Sequence, residues 1–310
     1  MIYLHHYDAS LFSEKVRLML GYLKLSWLSV NIPNIMPRPL LMPLTGGYRK
    51  TPCLQIDANV YCDTAVITHG LVRESGDTTL LAHGFPADRV AEWADTQLFR
   101  VAVALNFRPE ALGPMMSQLS ESDVAAFQKD RAELSKGAPI VSYSAEAALG
   151  YLWTYTDQLE RTLARSDQAF LFGSEPCVAD FSVYHCLWFL RNNPVNAPLL
   201  HSHHAVAEWY ERMKSFGHGS VSRSSGEAAL AAAKGAEPVA PVLTGAVPEG
   251  LTLGDHISVM PIDYGRIPVS GHLVAIGPDE VVIERQAPET GRVMTHFPHA
   301  GFEVVQIAAD

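Results

Sequence analysis

The alternation of strand-like and helix-like patterns in the first 75 residues restricts the possible folds of this chain more than any other feature. Apolar runs of strand length lie at residues 2–7, 28–32, 53–56 and 60–62. Helical periodicity occupies residues 13–25 and 64–74, whereas the prolines and glycines between 33 and 47 argue against a regular helix there. Strands that alternate with helices are typical of an α/β unit. We therefore predict a small α/β domain over residues 1–76.

In the middle of the chain, apolar residues recur at helical spacing. Amphipathic segments lie at residues 87–107, 121–136, 145–165, 178–191 and 203–214. Few strand patterns interrupt them, and residues 76–86 show little apolar periodicity. The sequence therefore predicts a short linker followed by an all-helical domain over residues 86–220.

The final 90 residues have a third kind of pattern. Residues 221–250, which contain an alanine run and then a Pro- and Gly-rich stretch, are predicted to form a linker. Short strand patterns follow at residues 253–261, 269–276, 280–285, 293–297 and 302–307, separated by turn residues. Short, closely spaced strands favour a compact β-barrel, so we predict a small all-β, SH3-like domain over residues 251–310.

Composition excludes several classes of function. The 310 residues carry a formal net charge of -10 and no basic stripe, so we expect neither nucleic acid nor an anionic membrane surface as partner. The cysteines form no C-x-x-C pair and lie in apolar contexts, which indicates reduced thiols. The N-terminus lacks a signal-peptide pattern, and no apolar stretch approaches 18 residues. We expect a cytoplasmic protein without a membrane-spanning helix.

Three short motifs lie at the junctions of the predicted N-terminal elements. Ser10 falls between the first strand and the first helix, shortly before Lys15-Val16-Arg17. Thr51-Pro52 opens the predicted hairpin, and a proline within a strand-like run favours a cis peptide bond. Asp63-Thr64 begins the helix after the hairpin, where either side chain can cap exposed N–H groups.

In their order and spacing, these motifs resemble the serine-type glutathione S-transferases over residues 1 to about 220. The family carries Ser followed by Lys/Arg-Val-Arg, then Val-Pro with a cis proline, then Glu/Asp-Ser/Thr at a helix start. Ala179-Asp180 further resembles the family's structural capping motif, although Cys177 stands at the cap position. Leu11 also departs from the pattern, since many members have Pro there. The resemblance implies a thioredoxin-like domain followed by an all-helical domain, and a homodimer.

The resemblance also implies a binding site for glutathione as co-substrate. Ser10 would stabilise the glutathione thiolate at a helix N-terminus, although it could equally be an ordinary helix cap. The Thr51 backbone beside Pro52 would pair with the cysteinyl part, while Asp63 and Thr64 would hold the γ-glutamyl end. Lys50, together with Arg49, would pair with the glycyl carboxylate. Other candidates for the thiol-facing position are Ser13, His6 and Tyr7.

The predicted reaction is conjugation of the glutathione thiolate to a small electrophile bound between the domains. Candidate lining residues are Trp93, Phe99, Val103 and Phe107, which could equally belong to the core. One alternative is a non-catalytic binding or scaffold protein with the same fold. A second is a glutathione-dependent reductase or isomerase that uses Cys53, which follows the proline. The histidines lack ligand spacing, so no metal site is expected.

Overall fold

The computed structural model describes residues 1–116, 120–138, 142–165 and 168–307. Its N-terminal part consists of β1 Ile2–His6, α1 Leu11–Tyr22, β2 Ser26–Asn31, α2 Met42–Thr45, β3 Cys53–Ile56, β4 Asn59–Cys62 and α3 Thr64–Ser75. Strand β1 pairs in parallel with β2 and antiparallel with β3, and β3 continues into the hairpin with β4. The predicted thioredoxin-like domain is therefore confirmed. Helix α2 is a single turn within the interval predicted to lack a regular helix.

The helical part follows the predicted periodicity closely. Its helices are α4 Phe85–Trp93, α5 Phe99–Asn106, α6 Pro109–Met116, α7 Glu121–Leu134, α8 Ala145–Arg165, α9 Val178–Arg191 and α10 His204–Ser215. A π-helical turn, Ala94–Leu98, joins α4 to α5, and 3-10 turns lie at Thr79–Leu81 and Ala197–Leu200. Helix α6 was not expected, although its first residue, Pro109, suits a helix start.

The C-terminal strands extend the thioredoxin-like sheet. They are β5 Ser220–Ser224, β6 His256–Pro261, β7 Val269–Ile276, β8 Val281–Ala287, β9 Gly291–Phe297 and β10 Phe302–Gln306, with helix α11 Gly226–Lys234 after β5. The described strands form one sheet in the order β10-β6-β7-β8-β9-β4-β3-β1-β2-β5. The segment predicted as a linker thus begins with a strand that pairs with β2.

The predicted strands of the C-terminal part are confirmed, but they add to the edge strand β4 through β9. An unpaired edge exposes N–H and C=O groups, and this parallel pairing satisfies them. Strands β6 to β9 form an antiparallel meander, β10 returns to pair with β6, and β9 continues the order into the N-terminal sheet. The SH3-like closure and the domain boundaries stay predictions. Residues 308–310 of the predicted β domain lie outside the described residues.

Two apolar clusters hold the three parts together. One joins β1, α1 and α3 to the helical part, with Leu4, Leu71 and Phe181 among its buried members. The other joins the segment around Leu44 to the C-terminal strands, where Phe297 is fully buried. The C-terminal strands therefore share an apolar core with the N-terminal part.

A buried polar cluster reinforces the junction between the C-terminal strands and the N-terminal part. Glu280 accepts two hydrogen bonds from Arg73, at 2.8 and 3.0 Å, and a third from His296 Nδ1 at 2.6 Å. The other ring nitrogen of His296 accepts from the Asn59 amide at 2.9 Å, and Tyr61 stacks on the imidazole ring. Buried charges that are fully paired in this way specify one docking geometry.

Within the described residues, no helix is long and apolar enough to cross a membrane.

Candidate functional site

Ser10 lies at the N-terminus of α1 and caps it. Its backbone is extended, with φ -77° and ψ 119°, and its Oγ accepts a hydrogen bond from the Ser13 N–H at 3.2 Å. The Ser10 N–H donates to the Tyr7 carbonyl at 3.1 Å, which closes the turn between β1 and the helix. The capping role is therefore present. It does not compete with a role in binding, because a hydroxyl that accepts can also donate its proton.

Lys15 connects the start of α3 to the helical part. This side chain is 1% exposed, and its Nζ donates to Thr64 Oγ1 at 3.1 Å and to Asp95 Oδ2 at 2.7 Å. The second Asp95 oxygen accepts from His185 Nε2 at 2.9 Å. Burial raises the pKa of Asp95, but Lys15 and His185 outweigh burial and hold that pKa below its usual range.

The π-helical turn explains how Asp95 reaches Lys15. An extra residue in the helical repeat at Ala94–Leu98 interrupts the regular ladder, and such turns are frequent at functional sites. Sequence reasoning missed Asp95 and His185. The only signal was a carboxylate and an imidazole within segments whose other residues are largely apolar.

Asp63 has the most unusual backbone of the predicted site residues. Its φ is +109° with ψ 145°, a region that L-residues rarely adopt and that costs about 1–3 kcal/mol. Its carboxylate caps α3 by accepting from the Ala65 N–H at 3.0 Å, and Thr64 beside it is buried. Burial raises the pKa of Asp63, while Lys50 and Lys15 act in the opposite direction.

The Thr51–Pro52 peptide bond is cis, as the sequence predicts, and so is Met36–Pro37, which was not predicted. The buried Arg38 supports the segment before Pro52. Its guanidinium donates to the Arg49 carbonyl at 2.7 Å, to Thr51 Oγ1 at 2.9 Å and to a third acceptor, the Pro33 carbonyl. Sequence reasoning gave Arg38 no role, although an arginine between two prolines in an apolar context is unusual.

The two cations predicted for the glycyl carboxylate both have carboxylate partners within the chain. Lys50 Nζ donates to Asp263 Oδ1 at 2.5 Å and lies 4.2 Å from the centre of the Tyr264 ring. Arg49 donates to Asp130 on α7 at 2.5 Å. The Asp263–Tyr264 turn had no predicted role in the site, yet the C-terminal strands bring it to the predicted binding segment.

The other candidates for the thiol-facing position differ in their surroundings. His6 is buried and uses both ring nitrogens, with Ser29 Oγ at 2.8 Å and Arg17 at 3.0 Å, and burial lowers its pKa to about 4. Tyr7 is half-buried and packs against the second apolar cluster. Ser13 is buried, and its Oγ has no hydrogen-bond partner among the described residues.

Among the residues predicted to line an electrophile site, Phe99 lies where all three parts meet. Its ring centre is 5.0 Å from that of Phe12 on α1 and 6.5 Å from that of Tyr264. Trp93 instead packs edge-on against Tyr155, and Phe107 stacks on Phe127 within the helical part. The structure therefore brings Phe99 together with the site, while the aromatic contacts of the other two lie inside the helical part.

Cys53 is enclosed rather than accessible. It is fully buried in the second apolar cluster, opposite Cys62 in the β3–β4 ladder, and its Sγ donates to the Lys50 carbonyl at 3.6 Å. Burial raises the pKa of Cys62 well above its usual value. Buried thiols of this kind are usually inert, which argues against the reductase alternative. Within the described ranges, no three His, Cys, Asp or Glu side chains form a cluster that could hold a metal ion.

Two family models match parts of the chain that contribute to this site. Residues 4–78 match the glutathione S-transferase N-terminal domain, and residues 142–212 match the glutathione S-transferase C-terminal domain. The structure is similar to that of a GST-like protein from Pseudomonas syringae, with a TM-score of 0.82 and 38% identity over 99% of this chain and 100% of that one. The chain belongs to the glutathione S-transferase superfamily.

More distant superfamily members share only part of the chain. A glutathione S-transferase from Rhodospirillum rubrum F11 is 18% identical, with a TM-score of 0.52, and covers 69% of this chain and 88% of its own. Glutathione transferase F2 from Populus trichocarpa is 16% identical, with a TM-score of 0.51, and the match covers 69% of this chain and 93% of that one. At this identity the likeness shows the fold alone. No curated protein matches the sequence.

Proposed function

We propose that this superfamily member is a glutathione transferase that binds glutathione along Thr51, Asp63 and Thr64 and attaches its sulfur to a small electrophile. The observation that carries the proposal is Asp63, which caps α3 from a strained backbone at φ +109°. Strain of this kind persists where surrounding structure enforces it and is concentrated at ligand sites. A carboxylate beside exposed helix N–H groups can accept the ammonium of a γ-glutamyl group while those N–H groups bind its carboxylate.

Thr64 and Lys15 extend this end of the site. Thr64 Oγ1 accepts from Lys15 and can still donate its own proton to a ligand carboxylate. The buried Lys15 adds positive charge beneath that position, which favours an anionic group. Because Asp95 balances Lys15, the cation is held in place without an uncompensated charge.

The thiol is activated at the N-terminus of α1. The Ser10 hydroxyl donates a hydrogen bond to the glutathione sulfur, and the helix dipole favours the thiolate over the thiol. The thiol proton passes to solvent, and the thiolate attacks the electrophilic carbon. The new C–S bond forms as the bond from that carbon to the leaving group breaks, and with an aryl halide the halide departs with the bonding electron pair. Phe99 and Phe12 offer apolar surface beside this position for the electrophile.

Titration calorimetry with glutathione tests the proposal. Wild type should bind, Asp63→Ala should bind at least about tenfold more weakly, and Ser10→Ala should keep its affinity but lose turnover with an activated aryl halide. Ser224→Ala on the distant strand β5 is the matched control for Ser10→Ala. Absence of glutathione binding to wild type at millimolar concentration would overturn the proposal.

A second candidate function is a non-catalytic binding protein. One observation favours it: Lys50 and Arg49 already form ion pairs within the chain, with Asp263 and Asp130. Turnover separates the candidates, because a binding protein would take up glutathione without consuming the electrophile.

We further propose that the protein is a cytoplasmic homodimer, as is usual in the superfamily. Light scattering of the purified chain tests the dimer.

A further inference from the structure

We propose that Asp263, supplied by the C-terminal strands, makes this site select γ-glutamyl thiols whose C-terminal end is uncharged over glutathione with its free glycyl carboxylate. The inference rests on the proposed function, since it concerns the other end of the same ligand. It assigns Asp263 and Tyr264 a specificity role.

Lys50 is the cation that the proposed binding mode pairs with the C-terminal end of the ligand. It directly precedes Thr51, along which the cysteinyl part lies in that mode, while the γ-glutamyl end lies at Asp63 and Thr64. That lysine is already bonded to Asp263 at 2.5 Å, and its side chain is 10% exposed. The Asp263 carboxylate therefore occupies the place on Lys50 that a glycyl carboxylate would need.

The other cations of the segment before Pro52 offer no substitute. The segment from residue 33 to residue 52 contains Arg38, Arg49 and Lys50 as its cations. Arg49 is paired with Asp130, and both side chains of that pair are about one-tenth exposed or less, at 11% and 8%. Arg38 is bonded to backbone carbonyls and to Thr51. An incoming carboxylate would therefore have to compete with an internal partner at each of these three cations.

The turn that carries Asp263 is anchored from several directions. The Gly265 N–H donates to the Leu134 carbonyl at the end of α7 at 2.7 Å, and the Ile262 N–H donates to the Gly301 carbonyl at 3.1 Å. Arg266 donates to the Ile262 carbonyl at 3.0 Å. Gly265 itself has φ +65°, a conformation that glycine adopts without penalty. These bonds make Asp263 a fixed part of the site wall.

Tyr264 completes an environment that disfavours a second anion. Its ring lies 4.2 Å from Lys50 Nζ and stacks toward Phe99 at 6.5 Å. A glycyl carboxylate placed here would meet the negative charge of Asp263 and the face of an aromatic ring. Like charges in close contact oppose binding, whereas a carboxamide or ester end meets no such repulsion and can donate to or pack against the same groups.

The test compares glutathione with its glycine carboxamide, in which a neutral amide replaces the glycyl carboxylate. Titration calorimetry is performed on wild type, Asp263→Asn and Asp279→Asn. Asp279 is exposed on a different turn of the same C-terminal part, so its substitution is a matched change of charge. Wild type and Asp279→Asn should prefer the carboxamide. In Asp263→Asn, affinity for glutathione should rise by at least about tenfold while affinity for the carboxamide stays within about twofold.

Each failure has a distinct reading. If wild type prefers glutathione, or if Asp263→Asn shifts both thiols equally, the specificity role is wrong while the transferase proposal stands. If neither thiol binds to any of the proteins, the proposed function itself fails. The wild-type preference tests the inference even if Asp263→Asn does not fold.

Discussion

Two lysines border the proposed ligand site, and their carboxylate partners come from different parts of the chain. Lys15 is 1% exposed and bonds to Asp95, which is 21% exposed and also holds His185. Lys50 is 10% exposed and bonds to Asp263, which is 42% exposed. The first pair joins the N-terminal part to the helical part, and the second joins it to the C-terminal strands.

The difference indicates distinct roles. Charges removed from water must be paired, so loss of either Lys15 or Asp95 leaves an uncompensated buried charge. A pair whose carboxylate is nearly half exposed is screened by water and contributes little to stability. The Lys15 pair therefore contributes mainly to the stability of the fold, whereas the Lys50 pair can influence which ligand binds.

Replacing Asp95 should give the largest effect. We expect Asp95→Ala to lower the free energy of unfolding by about 3–5 kcal/mol, because Lys15 stays buried without its partner. Urea denaturation followed by circular dichroism measures the change, with Asp263→Ala as the matched control. A loss below about 1 kcal/mol for Asp95→Ala would remove the distinction between the two pairs.

Acid should act on the buried histidines and not on the Lys50–Asp263 pair. Burial lowers the pKa of His5 and of His6 to about 4 and also lowers that of His185, so all three resist protonation in the folded state. The unfolded chain gains protons below about pH 6.5. Stability should therefore be full above that pH and fall as the pH decreases toward 4, with a slope of up to about 1.4 kcal/mol per pH unit for each histidine that stays neutral in the folded state.

Urea denaturation at a series of pH values measures this dependence. The Asp263→Asn variant should show the same slope as wild type between pH 6.5 and 5, since no histidine bonds to Asp263 or Lys50 among the described residues. A flat profile in wild type would contradict the neutral, buried state of the three histidines.

Adding a methyl group at Gly265 should loosen the turn that holds Asp263. A Cβ there would lie 3.2 Å from Leu134 Cδ1 and 3.5 Å from Lys50 Cγ, at a backbone φ of +65°. We expect Gly265→Ala to cost about 1–2 kcal/mol and to raise the affinity for glutathione relative to its carboxamide. Gly254→Ala is the control, because it has φ +95° but nothing within 4 Å. Thermal unfolding measures the loss of stability, and calorimetry measures the two affinities. If Gly265→Ala and Gly254→Ala had the same ratio of glutathione affinity to carboxamide affinity, the prediction would be wrong.

The smallest expected effect is the stability contribution of the Lys50 pair. Asp263→Ala should change the free energy of unfolding by no more than about 1 kcal/mol, and the difference from wild type should shrink in 1 M salt. Denaturation at low and high salt measures it. A salt-independent loss of several kcal/mol would mean that this pair supports the fold as the Lys15 pair does.

The sequence predicted the local features of the molecule well. Strand and helix periodicity depends on neighbours along the chain, so α8 and α9 have their predicted bounds. The same holds for the Asp63 cap of α3, because capping involves only the next few residues.

Contacts between distant segments could not be read in this way. Lys50 and Asp263 are 213 positions apart, and no periodicity indicates that one will meet the other. Likewise, the pattern of β9 predicts a strand but not its parallel pairing with β4. The predicted binding residues Asp63 and Thr64 keep positions suited to a ligand, whereas the partners of Lys50 and Arg49 depend on how the C-terminal strands and α7 dock.

The central claim is that the partner of Lys50 controls which γ-glutamyl thiol this site accepts. A double-mutant cycle tests it most directly, with glutathione affinity measured in wild type, Lys50→Gln, Asp263→Asn and the combined variant. The account predicts that the gain from Asp263→Asn is at least about fivefold larger when Lys50 is present than when it is replaced. An equal gain in both backgrounds, or no binding to any of the four proteins, would contradict it.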